Sequence, residues 1–360
     1  MATSLLTGYP GFIGRRLATR LLEADSGLRL VALVEPRMLE TARAAAAEAG
    51  DERLEIVAGD IGEPRLGLSD SDRDRLLAEV TRVFHLAAIY DLAVPLEAAQ
   101  RVNVDGTGNI VDFCEAAESL ERLVYISTAY VAGKRTGVVY EHELVMGQGF
   151  KNHYESTKFQ AEVWVRAARD RVPITILRPA IVVGDSTTGE TQKFDGPYFI
   201  LRTIAEAERA GRAVVQFGRA DAPFNVVPVD FVVDSIAASA DAPAALGRTL
   251  HLVDPEPLSA SQLTETLSME YAGRSPKGRM PPRLAAASLR VPAIRSRLGG
   301  TPPQSLAYLN HPVRFDTRRA VEILEPLGLR PPSFGDYAAA VVRYFREHET
   351  DPALVPGYKA

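Results

Sequence analysis

At 360 residues, 46% of them hydrophobic and 24% charged, the chain has the make-up of a globular protein with one large domain or two smaller ones. A net charge of −5 lacks the basic footprint of nucleic-acid binding, so no nucleic-acid partner is expected. A single cysteine, Cys114, excludes an intrachain disulfide, and no apolar run of 18 residues predicts a membrane span.

The first strand, Leu5-Leu6-Thr7, runs into Gly8-Tyr9-Pro10-Gly11-Phe12-Ile13-Gly14 and then a helical pattern through Leu17, Leu21 and Leu22. Gly-x-x-Gly-x-x-Gly at a strand-to-helix junction predicts a phosphate cradle. Its glycines permit a tight turn and close backbone approach, and the helix N-terminus offers free N–H groups to a pyrophosphate. An ordinary connecting loop is the alternative. A motif that begins at Thr7 leaves no room for a signal peptide, so a cytoplasmic protein is expected.

The second strand, Leu30 to Val34, ends at Glu35-Pro36-Arg37. A carboxylate at that point binds the ribose hydroxyls of NAD, whereas an arginine takes the 2′-phosphate of NADP. The chain has both, and a turn at Pro36 that faces Arg37 into the pocket favours NADPH over NADH. Two solvated loop charges are the alternative. An alanine-rich helix (Leu39 to Ala49) leads to a third strand, Leu54 to Ala58, closed by Gly59-Asp60-Ile61. Asp60 is placed for the adenine amino group, or else for a helix N-cap. Glu63 to Asp74 reads as a loop, followed by a short helix reaching Val80.

The fourth strand and its exit, Val83-Phe84-His85-Leu86-Ala87-Ala88, offer small residues beside which a dinucleotide backbone can pass. His85 reads as a packed strand residue, since nothing near it suggests a metal or a nucleophile, and no metal site is expected. A long helix from about Leu96 to Ala117 carries Asn103, a candidate support for a proton-relay water or simply a polar residue that bends the helix before Gly106. Cys114 lies on its amphipathic pattern and is expected to be buried.

The fifth strand, Leu123 to Ile126, runs into Ser127-Thr128, and a loop from Lys134 to Gly149 follows. A helical pattern from His153 to about Arg169 then puts Tyr154 and Lys158, four apart, on one face. A phenol beside an ammonium is a proton donor tuned toward neutral pH. The sixth strand, Ile174 to Leu177, ends at Arg178-Pro179. Gly184 to Tyr198 has no period and reads as a substrate loop. Beyond it come a helix from Phe199 to Ala210, Val226 to Asp230, a helix from Phe231 to Ala240 and a strand at Leu250 to Val253. The remainder is helical with proline breaks at Pro281-Pro282, Pro302-Pro303 and Pro331-Pro332, and ends in an amphipathic helix, Phe334 to Glu347.

This alternation predicts an α/β fold, a Rossmann-type doubly wound parallel sheet with a smaller, mostly helical C-terminal substrate-binding part. The expected division gives residues 1–183 to dinucleotide binding, with 226–253 returning to that unit, and residues 184–225 and 254–360 to the substrate. Gly8 to Gly14, Asp60, Thr128 and Pro179 all fall at strand carboxyl ends, where such sheets bind ligands.

Together Thr7-Gly8-x-x-Gly11-x-x-Gly14, His85-Leu86-Ala87-Ala88, Asn103-Val104-x-Gly106-Thr107, Tyr125-Ile126-Ser127-Thr128, Tyr154-x-x-x-Lys158 and Arg178-Pro179 resemble the extended short-chain dehydrogenase/reductases. Ser127 to Val131 and Phe150 to Tyr154 are most similar to the fatty acyl-CoA reductase and thioester reductase branch. The resemblance implies a nicotinamide-dependent oxidoreductase, with Tyr154 as general acid and Lys158 lowering its pKa and binding the nicotinamide ribose. Thr128 is placed as hydroxyl partner of the substrate oxygen, with Ser127 as the near alternative, and Pro179 packs by the carboxamide. Glu35 departs from the branch, where an arginine is usual. The implied substrate is a small-molecule carbonyl or an acyl thioester carried by CoA or an acyl carrier protein. No carrier-protein or adenylation domain is seen, so a thioester would arrive in trans. The family also implies a homodimer through the Leu96 and Tyr154 helices. A sugar-nucleotide epimerase or dehydratase, which would use Lys193, Arg202 and Arg219 for a diphosphate, and a non-catalytic dinucleotide-sensing module are the competing readings.

Overall fold

The computed structural model describes residues 2–355 other than 91–93, 218–219, 282–283, 285–286, 288–290 and 292–305. Pro282, Pro302, Pro303 and Arg219 therefore lie outside the described residues.

Alternation along each strand builds the molecule. Leu6 of β1 (Thr3–Thr7) and Leu30, Ala32 and Val34 of β2 (Arg29–Val34) bury on one face, against α1 (Phe12–Ala24) and α2 (Leu39–Ala49). Leu5, Val31 and Leu33 bury on the other. Both faces are apolar because the sheet is parallel and covered on both sides. The remaining members are β3 (Leu54–Ala58), β4 (Val80–His85), β5 (Arg122–Ile126), β7 (Ile174–Pro179) and β11 (Thr249–Leu252). They assemble in the order β11-β7-β5-β4-β1-β2-β3, with every neighbour parallel.

The second face is covered by α5 (Gly106–Ala116) and α6 (His153–Ala167), which pack on each other. The first face also receives α8 (Val229–Asp241), which packs on α1. Each fully buried leucine or isoleucine of such a core contributes about 1.5–3 kcal/mol.

The expected elements differ from the observed ones at several places. α3 (Asp70–Glu79) starts earlier than expected, because Ser69 accepts the Asp72 N–H as N-cap. Val80 belongs to β4 rather than to that helix, and the β-branched residue pairs with Thr3. The long helix is broken by a π-helical segment, Gln100–Asp105, between α4 (Leu96–Ala99) and α5.

Shorter elements lie outside the large sheet. The strand β6 (Gly137–Val139), inside the segment expected to be a loop, pairs with β13 (Val313–Phe315). β8 (Ile181–Val183) pairs with β10 (Val226–Pro228), and β9 (Gln216–Phe217) with β12 (Arg279–Met280). A separate apolar cluster joins α7 (Tyr198–Arg209), α9 (Ala260–Ala272), α10 (Leu306–Leu309) and the C-terminal α12 (Phe334–His348) through Tyr198, Leu201, Leu263, Leu309 and Phe345. The helix α11 (Arg318–Leu324) packs beside β11. Among the described residues no helix is long and apolar enough to cross a membrane.

Candidate active site

The carboxyl ends of β1, β2, β3, β4, β5 and β7 open on one continuous cavity of about 690 Å³, within the range of small-molecule sites. Gly8 to Gly14 line one end. Gly8 has φ +92°, and a Cβ there would meet Leu86 Cβ and Ala87 N at 3.0 Å. A Cβ on Gly14 would come within 2.5 Å of the Gly8 carbonyl oxygen. The turn is closed by Gly11 N–H donating to Gly8 O at 2.9 Å. α1 has Gly11 as N-cap with no side-chain cap, so its first N–H groups are left for a ligand. These residues fit a dinucleotide pyrophosphate.

Glu35 and Arg37 both line the cavity, and they pair with each other, Arg37 Nε to Glu35 Oε1 at 2.7 Å. The Arg37 side chain is 73% exposed, so this pair holds by no more than about 0–1 kcal/mol and opens readily for an anion. Asp60 and Ile61 line the same end. The Asp60 carboxylate is already engaged, accepting from Gly62 N–H at 2.8 Å and from Arg101 at 2.6 Å. Leu86, Ala87 and Ala88 line the cavity at the β4 exit, and Pro179 at the end of β7.

His85 is a packed residue. Its ring sits between Thr7 Oγ1 (2.8 Å) and Thr107 Oγ1 (3.0 Å), and burial holds it neutral with a pKa down to about 3. Cys114 is buried, and burial pushes its thiol up, away from reactivity.

At the middle of the cavity α6 presents Tyr154 and Lys158. Asn152 caps the helix by accepting the Glu155 N–H at 2.9 Å. Tyr154 is half-buried, with the Thr128 hydroxyl close enough to act on its phenol and the Tyr90 ring edge-on at 5.1 Å. Thr128, exiting β5, is buried and lines the cavity.

The Lys158 ammonium donates to the Ile126 carbonyl at 2.8 Å and lies over the Tyr125 ring at 4.5 Å. Burial pulls its pKa down to about 7, against the opposing pull of Glu162. The sequence expectation that Lys158 lowers the Tyr154 pKa is not met here. Burial dominates and pushes the phenol up, the Thr128 hydroxyl works the other way, and the ammonium is turned to the Ile126 carbonyl.

Two expected site residues sit differently. Ser127 borders the cavity, but its hydroxyl donates to Glu162 at 2.7 Å, which leaves Thr128 as the hydroxyl beside the phenol. Asn103 does not line the cavity. It is fully buried in the π segment, its Oδ1 accepting from Ile89 N–H (2.8 Å) and its Nδ2 donating to Thr157 Oγ1 (3.1 Å). It thereby fastens the β4 exit to α6.

The other end of the cavity is walled by Ile181, Val182, Phe199, Ile200, Phe224 and Leu309. Its polar residues include Lys193 and Asp195, 3.7 Å apart, and burial pushes Asp195 up to about 6. Sequence reasoning gave no role to Tyr90, Arg101, Asp195 or Tyr308, all of which line the cavity. Glu162 was also missed, although its place four residues beyond Lys158 on the same helical face was a usable signal.

The NAD-binding family model described as Male sterility protein matches residues 6–236. The fatty acyl-CoA reductase wat of Drosophila melanogaster is 27% identical over 278 residues, 65% of this chain and 53% of that protein. The L-2-aminoadipate reductase large subunit of Penicillium chrysogenum is 30% identical over 274 residues, 68% of this chain and 19% of that protein. The chain thus spans about half the length of the fly protein and about a fifth of the fungal one. The crystal structure of the terminal R domain from the myxalamid PKS-NRPS pathway matches with a TM-score of 0.82 and 26% identity, over 98% of this chain and 92% of that one.

Proposed function

The chain belongs to the Male sterility protein family of NAD-binding proteins, and on that premise we propose that it is an NADPH-dependent reductase of acyl thioesters or of the derived aldehydes. It is of the extended short-chain dehydrogenase kind, and the thioester would be carried by CoA or a carrier-protein arm. One observation carries this reading. A single cavity runs from the glycine turn, past Thr128, Tyr154 and Lys158, to a wall of Ile181, Phe199, Ile200, Phe224 and Leu309 that suits an acyl chain.

A nicotinamide, when bound, supplies the hydride. The chain's own groups do the rest. Gly8 to Gly14 and the α1 N-terminus hold the pyrophosphate, and Arg37 holds the 2′-phosphate in place of Glu35. The Thr128 and Tyr154 hydroxyls converge on the carbonyl oxygen, each worth about 2–4 kcal/mol as negative charge develops there. Tyr154 delivers the proton, and Lys158 supports it from one helical turn away.

The epimerase reading needs cations for a diphosphate. Of Lys193, Arg202 and Arg219, Lys193 lines the cavity and is paired with Asp195, Arg202 is not among the lining residues, and Arg219 is outside the described ones. The apolar wall favours the acyl substrate.

The test mixes the protein with NADPH or NADH and follows cofactor absorbance with a long-chain acyl-CoA, a long-chain aldehyde or a nucleotide sugar. Oxidation of NADPH by the acyl-CoA or the aldehyde is expected; turnover of the nucleotide sugar alone would contradict the reading. Arg37→Ala is expected to raise the KM for NADPH by about tenfold or more while leaving that for NADH within about twofold, since a lost charge-assisted hydrogen bond is worth about 1.5–3 kcal/mol. Equal losses for both cofactors would remove Arg37 from the phosphate site.

A further inference from the structure

Behind Thr128, Tyr154 and Lys158 lies a buried charge cluster that the proposed reduction does not use. Glu162 follows Lys158 by one turn of α6 and is fully buried. Its Oε2 accepts from Ser127 Oγ at 2.7 Å and from Arg178 Nε at 2.9 Å. Its Oε1 accepts from Arg178 Nη2 at 2.7 Å and from Arg166 Nε at 2.9 Å.

Arg178, buried as well, donates from Nη2 to the Glu143 carbonyl at 2.8 Å, and its Nη1 lies 3.2 Å from His251 Nε2. His251 Nδ1 is 2.7 Å from the Asp316 carbonyl, which assigns the ring its Nδ1–H tautomer with Nε2 as acceptor. The cluster therefore ties together the exit of β5, the middle of α6 and the end of β7. That same β5 exit supplies the Ile126 carbonyl that receives the Lys158 ammonium and the Thr128 hydroxyl beside Tyr154.

We propose that Glu162 is a positioning residue for this pair: it clamps Ser127 at the β5 exit, and it sets a buried carboxylate one helical turn from the ammonium that Lys158 places on the Ile126 carbonyl. The proposal rests on the reading of Tyr154 and Lys158 given above. The groups around Lys158 leave this task to Glu162. On α6 these are Tyr154 and Glu162, each one turn away; on β5, the Tyr125 ring; on β4, neutral His85; the cations Arg166 and Arg178 pair with Glu162. Among the described residues Glu162 is the charge that raises the Lys158 pKa against burial. Removing it must therefore move the lysine's titration to lower pH.

The experiment measures kcat and kcat/KM against pH for NADPH with a long-chain aldehyde, using the full chain as wild type, Glu162→Gln, Glu162→Asp and Tyr154→Phe. Glu162→Gln is expected to move the alkaline limb down by about one pH unit or more. The aldehyde KM should stay within about twofold, and most of the lost kcat should return on acidification. Glu162→Asp, which keeps the charge, is expected to hold the limb at the wild-type position with a lowered kcat.

A Glu162→Gln profile that keeps the wild-type limb, or that loses the same factor at every pH, would overturn the proposal. Should Glu162→Gln show no cooperative melt, Glu162→Asp decides: a limb at the wild-type position supports the positioning role, and one displaced by about a unit overturns it. Failure of the underlying reading looks different, as no turnover by wild type or a Tyr154→Phe variant with the wild-type rate.

Discussion

Tyr154→Phe is expected to lower kcat by a factor of about 10²–10⁴, the usual worth of a positioned proton donor. NADPH affinity should stay within about threefold, because the substitution removes one hydroxyl and leaves the ring in place. The ring's packing does not depend on that hydroxyl. It meets Tyr90 edge-on, and α6 is fastened independently by the Asn152 cap and by the Lys151–Glu155 pair at 3.1 Å. Stopped-flow turnover beside a fluorescence titration with NADPH checks both halves. A variant that turns over at the wild-type rate would take Tyr154 out of the chemistry. A variant that loses both turnover and the cofactor would show the effect to be structural.

Gly14→Ala is expected to act on the other half of the site. The new methyl would lie 2.5 Å from Gly8 O, 2.9 Å from Gly8 C and 3.2 Å from Tyr9 N. All three are backbone atoms of the cradle, so no side chain can swing aside. Alanine is the better helix former by about 0.5–1 kcal/mol, yet overpacking a tight contact costs typically 1–3 kcal/mol, so the clash wins. NADPH affinity should fall by about tenfold or more, with a lower melting temperature. Affinity within twofold of wild type would mean that the turn between β1 and α1 does not hold the pyrophosphate. The two substitutions separate cleanly, one removing chemistry and the other binding.

Much of this arrangement was legible in the sequence, for reasons that can be named. The sequence predicts β3 at its observed bounds, Leu54–Ala58, because a short β-rich run flanked by polar turns admits little else. The glycine turn was legible because its spacing is a local steric requirement. Tyr154 and Lys158 were legible because a four-residue spacing on a helix is a geometric statement.

What escaped depends on partners distant in the chain. The Ser127 hydroxyl turns to Glu162, 35 residues away, and nothing at positions 127 and 128 distinguishes the two hydroxyls. The sequence alone allows Asn103 to be a relay residue or a bend. The structure puts it in a π segment whose amide spans Ile89 and Thr157, a bend with a fastening role that composition cannot reveal. The strand character of Val80 is hidden in the sequence because its partner, Thr3, is distant in the chain. The Lys158–Tyr154 pKa relation failed for a physical reason too. Spacing predicts proximity, but burial, which sets the sign here, belongs to the folded state alone. Lys193, Asp195 and Tyr90 sit on aperiodic segments, where residue type shows polarity but not direction.

A crystal structure of the protein with NADPH bound tests the central claim most directly. The account predicts the pyrophosphate on Gly8 to Gly14, the 2′-phosphate against Arg37, and the nicotinamide face toward Tyr154. The phenol oxygen should then be within about 2.6–3.2 Å of a carbonyl oxygen placed over that ring. A cofactor seated elsewhere, or a Tyr154 hydroxyl turned from the ring into the packed core, would contradict it.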